Sequence, residues 1–196
     1  MEFLYLRPAE AGDRQMLFDW RNDPAVRRGS FTTDPVAWED HVNWFASMMA
    51  NPQARQYILM VQTARNPEIR DSADSAESVR DLQIRENSKT AKTARATGGK
   101  DLRETAVPVG QIRPKACEDD PCAYEIGYSV AAEARGRGYG RALLEKIKEQ
   151  APKDLPRLHT LIGRVKKDNP ASAAAFRSAG YTCAETPECY IFRYEV

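Results

Sequence analysis

Arg135-Gly136-Arg137-Gly138-Tyr139-Gly140-Arg141 lies between a strand-like run, Tyr124 to Val130, and a helix-like run, Tyr139 to Gln150. A glycine-rich turn that opens a helix aims several backbone N–H groups at one point. With the positive end of the helix dipole, they form a ready anion site. Arg135, Arg137 and Arg141 add positive charge at the same place. The stretch therefore predicts a pocket for a pyrophosphate, and so a phosphorylated cofactor.

The rest of the turn narrows the choice. A Walker loop ends in Gly-Lys-Ser/Thr, which this turn lacks. A dinucleotide fingerprint needs a third glycine where Arg141 stands. It also needs an acidic residue about 20 positions on, and Leu158 to Val165 carries none. Arg135-x-x-Gly138-x-Gly140 instead resembles the acetyl-CoA signature of the GNAT N-acetyltransferases, R/Q-x-x-G-x-G/A. Two more segments follow in that family's order. Tyr124-Glu125-Ile126-Gly127-Tyr128-Ser129-Val130 looks like its fourth strand. Asp168-Asn169-Pro170-Ala171-Ser172, then a helix ending at Gly180-Tyr181, looks like its asparagine turn and "Gly-aromatic" close. The likeness spans roughly residues 108 to 183.

Composition sets the bounds. The 196 residues carry 29 Lys and Arg against 28 Asp and Glu, a net charge of +1. One domain is expected, with no nucleic-acid partner. No apolar run reaches about 18 residues, so no membrane partner is expected. Met1-Glu2-Phe3-Leu4 lacks a signal-peptide pattern, which points to the cytoplasm. Cys117, Cys122, Cys183 and Cys189 lack C-x-x-C spacing and read as ordinary thiols with no metal site. A monomer or homodimer is expected.

Along the chain, Phe3 to Arg7 reads as a strand. Asp13 reads as the cap of a helix bearing Met16, Leu17 and Trp20 on one face. Arg21 to Thr33 reads as a loop. Asp34 with Pro35 then predicts a helix start, and Trp38, Val42, Phe45 and Met49 form its core stripe. Tyr57 to Gln62 is a buried strand. Residues 63–106 hold nine Lys or Arg against eight Asp or Glu and few large apolar groups. Such a segment cannot offset its ordering entropy, and it reads as a disordered insertion between the second and third strands. Val109 to Arg113, Leu158 to Val165 and Cys189 to Tyr194 complete the strands. The order β-α-α-β-β-β-α-β-α-β gives an α/β class, a mixed central sheet flanked by helices, in a single domain over residues 1–196.

The resemblance implies acetyl-CoA as acyl donor, no metal, and direct transfer to a primary amine in a ternary complex. Gly136, Gly138, Tyr139 and Gly140, with the three arginines, would hold the pyrophosphate. Ser129 and Val130 would pair with the pantetheine arm, the Val130 N–H serving the oxyanion. Asn169 would contact the pantetheine amide. Glu125 is the family-based candidate for the base, and it alternates onto one face with Gly127 and Ser129. His41, beside Trp44 at i+3 and titrating near neutrality, is the second candidate. The thiolate acid of the family is a tyrosine, but Phe176 occupies its place. Ser172, Tyr181 or a water would substitute, or the thiolate would leave unassisted. Ser172 is also placed among the cofactor contacts.

The expected acceptor is a small-molecule amine. Trp20-Arg21-Asn22, then Arg28, then His41 and Trp44 resemble the GNAT enzymes that acetylate nucleotide-linked amino sugars, as in pseudaminic acid synthesis. Arginines can fork onto a diphosphate, and aromatics can stack on a base or sugar. A protein N-terminal acetyltransferase of the ribosomal-protein type and a CoA-binding module without catalysis are the alternatives.

Overall fold

The computed structural model describes residues 2–51, 54–63 and 106–196. The strands are β1 (Glu2–Pro8), β2 (Tyr57–Thr63), β3 (Ala106–Ala116), β4 (Ala123–Val130), β5 (Thr160–Lys166), β6 (Thr182–Glu185) and β7 (Cys189–Glu195). The helices are α1 (Arg14–Asn22), α2 (Pro24–Gly29), α3 (Trp38–Ala50), α4 (Tyr139–Asp154) and α5 (Pro170–Ser178). Among the described residues, one seven-stranded sheet runs β1-β2-β3-β4-β5-β7-β6, with only β4 and β5 paired parallel. That pair needs a crossover, and α4 supplies it.

β2 shows why the sheet lies between two cores. Tyr57, Leu59 and Val61 join the cluster that contains Leu143, Leu144 and Ile147 of α4 and Phe176 of α5. Ile58 and Met60 join the cluster with Leu17 of α1 and Phe45 and Met48 of α3. A strand covered on both faces reads as the unbroken apolar run seen in the sequence. Each fully buried Leu or Ile of α4 contributes roughly 2 kcal/mol of hydrophobic stabilisation.

The mixed sheet flanked by helices agrees with the sequence. Several local readings are corrected. Pro24–Gly29 is helical, not loop, because the Asp23 carboxylate accepts from the N–H groups of Ala25 and Val26 at 2.9 and 3.0 Å. Asp34-Pro35 opens no helix, and α3 begins at Trp38. Val36 is held instead by both ends of the Asn22 amide, at 2.8 and 3.0 Å. Asp13 does not cap α1: its carboxylate takes the Arg7 guanidinium at 2.6 and 2.7 Å and the Glu10 N–H at 2.8 Å. The buried stripe of α3 is His41, Phe45 and Met48, while Met49 is exposed. β6 went unread, and β3 begins at Ala106, three residues early, with Pro108 beside a bulge in its pairing with β2.

The expected insertion falls outside the described residues except for its first and last positions, Thr63 and Ala106, which end β2 and begin β3. Gln62 pairs with Ala106, so the chain leaves and rejoins the sheet at neighbouring positions. Among the described residues, no helix is long and apolar enough to cross a membrane.

Candidate active site

Gly138 is the N-cap of α4, with φ 83° and ψ 1°, in the left-handed region that favours glycine. Among the described residues, no side chain caps this helix end. The first N–H groups of a helix have no intrahelical partner, so those of Tyr139, Gly140 and Arg141 stay available to an anion. The three arginines of the turn also form ion pairs within the chain. Arg135 pairs with Asp23 at 2.6 Å, Arg137 with Glu2 at 2.8 Å and Arg141 with Glu145 at 2.8 Å. These exposed pairs answer part of the arginines' charge, and the backbone N–H groups are the part of the turn that could receive an anion without breaking a contact.

Beside this turn the sheet opens. The parallel pairing of β4 with β5 covers Ala123↔Thr160, Tyr124↔Leu161 and Glu125↔Ile162, then stops. β4 continues to Val130 with no strand on that side among the described residues. The N–H of Cys117 donates to Ala123 O and that of Ala131 to Val109 O, both at 2.9 Å. These bonds set the phase of the β3–β4 ladder, so the Ile126, Tyr128 and Val130 N–H groups turn toward the gap. Arg135 Nε donates to the Val130 carbonyl at 3.3 Å, which faces the same way. An extended amide-bearing chain could add to this edge as a strand does. The expected Ser129–Val130 segment thus lies at the parting of the strands.

Across the gap stands α5. Asn169 caps it, its Oδ1 accepting the Ser172 N–H at 3.1 Å. The Tyr128 hydroxyl donates to Ser172 Oγ at 3.1 Å, and burial pushes the Tyr128 phenol up. Phe176 is 2% exposed and belongs to the core. Tyr181 cannot stand in as the acid, because its buried hydroxyl donates to Leu144 O at 3.2 Å. Tyr128, which the sequence reading passed over, is therefore the partner of Ser172. Its place between Ser172 and the free strand edge follows only from the fold.

A cavity of about 360 Å³ adjoins the gap, bounded by α1, α2 and α3 on one side and β3 and β4 on the other. Trp44, His41 and the backbone region Gly127 to Ser129 line it. A row of polar side chains crosses its floor: Gln56 Nε2 donates to Gln111 Oε1 at 2.5 Å, and Gln111 Nε2 to Ser129 Oγ at 3.1 Å. His41, 3% exposed, has Nε2 at 2.9 Å from Arg14 O. A carbonyl only accepts, so that nitrogen carries the proton and the neutral ring leaves Nδ1 bare. Burial holds the His41 pKa below its usual value, against the raising effect of that bond.

Two arginines, Arg21 and Arg113, also line the cavity. Burial, and then the charge of Arg21, holds the Arg113 guanidinium below its usual pKa. Arg113 was read only as the end of a strand. Its alternation with Gln111 on one face was the available signal.

The other expected residues are scattered. Glu125 is absent from the cavity wall, 42% exposed and 3.7 Å from Arg164. Trp20 packs against both core clusters, and Asn22 is committed to Val36. Arg28 presents its carbonyl to Lys166 Nζ at 3.0 Å. α2 thus spans the mouth of the gap, joined by Asp23 to Arg135 and by Arg28 to Lys166. Burial pushes the Asp23 carboxyl up, but the Val26 N–H and Arg135 outweigh it and hold the group ionised. Among the described residues, no group of three or more His, Cys, Asp or Glu is placed to hold a metal ion.

The model of the acetyltransferase (GNAT) domain family matches residues 4–182. Among solved structures, a domain from Methanocaldococcus jannaschii superposes with a TM-score of 0.65 at 16% identity, covering 100% of both chains. Spermidine N-acetyltransferase from Vibrio cholerae, in complex with CoA and spermine, gives 0.64 at 13% identity, covering 98% of this chain and 94% of that one. AAC(6')-Ib in complex with ribostamycin and coenzyme A gives 0.63 at 15%, covering 98% and 93%. At these identities the likeness speaks for the fold. No curated protein matches.

Proposed function

The chain belongs to the GNAT acetyltransferase family, and we propose that it acetylates the primary amine of a nucleotide-linked amino sugar. The observation that carries this reading is the open edge of β4, which lies beside the uncapped start of α4 and a cavity lined by polar and aromatic side chains. Acetyl-CoA supplies an activated acyl carbon as a thioester. The residues of the chain hold the two substrates and move the protons.

The turn and the first N–H groups of α4 hold the pyrophosphate, and the edge from Ile126 to Val130 aligns the pantetheine arm. The Val130 N–H donates to the carbonyl oxygen as negative charge grows there. His41 Nδ1 takes the proton of the attacking amine as the C–N bond forms and the C–S bond breaks. The hydroxyl pair Tyr128–Ser172 returns a proton to the departing thiolate. Trp44 offers a face for a sugar or base, and the row Gln56–Gln111–Ser129 offers donors and acceptors for hydroxyls. Glu125 lacks the cavity access that His41 has, so His41 is the base in this proposal.

The test is N-acetylated product formed from acetyl-CoA and a UDP-linked 4-amino sugar, measured across pH. A base works unprotonated. Because burial lowers the His41 pKa, wild-type kcat is high at neutral pH and is lost only as pH falls through a midpoint below 6.5. His41→Gln should remove that inflection and lower kcat about 100-fold. Absence of product would reject the acceptor class, and an unchanged profile in the variant would reject His41.

A further inference from the structure

The acceptor cavity is electrically one-sided. Arg21 enters it from the last turn of α1 and Arg113 from β3, and no Asp or Glu among the described residues lines it. Among the described residues neither arginine forms an ion pair. Arg21 donates Nη2 to Thr32 O at 3.1 Å, while its Nη1 is buried with no partner among the described residues. Arg113 lies 5.1 Å over the ring of Trp44, which positions the guanidinium but gives its N–H groups no acceptor. Glu125 is the carboxylate whose charge Arg113 feels. It sits two pairs further along the β3–β4 ladder, opposite Lys115, and leans to Arg164.

Two partly buried guanidiniums lining one cavity, with one buried donor unfilled among the described residues, are an unfavourable arrangement on their own. An incoming anion reverses this. Each guanidinium is a planar fork that matches a phosphate or carboxylate, and charge-assisted bonds in a half-closed cavity are the strong ones. The same arrangement acts against a polycation, which would bring more positive charge to a wall with no carboxylate to receive it.

We propose that Arg21 and Arg113 form an anion clamp inside the acceptor cavity, selecting amines that also carry a phosphate or carboxylate. The proposal rests on the acetyl-transfer reading of the site but not on a sugar nucleotide as acceptor. It separates this chain from spermidine N-acetyltransferase and AAC(6')-Ib, whose solved complexes hold spermine and ribostamycin.

The experiment uses the full chain saturated with CoA, so that the α4 helix end is already filled. It is titrated with glucosamine 6-phosphate, with the C6 carboxylate analogue of glucosamine, with glucosamine and with spermidine. The phosphate or carboxylate probe is expected to bind at least about tenfold more tightly than glucosamine, with spermidine weakest. Preference for one anion over the other identifies the group that the clamp receives. Arg113→Gln and Arg21→Gln should each remove most of that advantage while CoA affinity stays unchanged. Arg113→Lys, which keeps charge but loses the fork, should retain part of it. Equal binding of glucosamine and both anionic probes, no binding of any, tighter spermidine, or an advantage that survives both Gln variants would overturn the clamp. Acetyl-CoA turnover is followed with the same four amines in place of CoA saturation. An anion preference in binding without N-acetylated product supports the clamp and counts against the acetyl-transfer reading. Product formed equally from glucosamine and its anionic analogues removes the clamp alone.

Discussion

Gly138→Val should weaken acetyl-CoA binding at least about 100-fold, equivalent to about 2.7 kcal/mol, while the protein remains folded. The residue sits at φ 83°, where a β-branched side chain is strained by about 1–2 kcal/mol. An added Cβ would meet nothing within 4 Å among the described residues, so packing is not what restricts the position. The restriction lies in the direction of the backbone. A valine that relaxes out of the left-handed region rotates the adjoining peptides, and the N–H groups at the start of α4 no longer converge. Since Arg135, Arg137 and Arg141 are paired with Asp23, Glu2 and Glu145, they are poorly placed to compensate. Calorimetric titration with CoA, alongside thermal unfolding, checks both halves. Undiminished affinity would refute the phosphate turn.

Phe176→Tyr is the second large effect, and it runs against what the family resemblance suggests. A tyrosine there would restore the family's acid, yet the variant should lose about 2 kcal/mol of stability and gain no rate. Phe176 stacks on Phe192 at 4.8 Å and 11° and meets Tyr181 edge-on at 5.0 Å. Its Cζ lies 2.2 Å from where a Cβ on Gly163 would be, so the tip of the ring rests against β5. A hydroxyl at that tip must displace the strand or leave its stacked place. Denaturant unfolding and kcat with a working acceptor measure the outcome. Unchanged stability with faster thiol release would move the acid to position 176.

The contrast between Asp23-Pro24 and Asp34-Pro35 shows how far the sequence could be read. Both carry the same helix-start signal, and only the first starts a helix. The second fails because the Asn22 side chain, fourteen residues away, holds Val36 by its N–H and its carbonyl. Long-range bonds of that kind leave no mark on local pattern. The glycine turn, β4 and α4 were legible because a positive φ and helical periodicity are local demands. His41 shows the opposite case. A polar residue bonded to the Arg14 carbonyl occupies a buried position of α3, so hydropathy alone placed the core stripe a fraction of a turn away. The cavity was the least legible part. Gln56 reaches it from just before β2, and Gln111 and Arg113 from β3, so the pairing of these strands is what brings them together.

The central claim is that acetyl-CoA lies along the free edge of β4, with its pyrophosphate at the start of α4. Residue-resolved amide exchange with and without CoA tests it most directly. The amides of Tyr128 and Val130, which face the gap, and of Tyr139 to Arg141 should exchange markedly more slowly with CoA bound. The Ser129 amide, already turned to β3, should change little. Saturating CoA that leaves Tyr128, Val130 and the start of α4 unprotected would contradict the account.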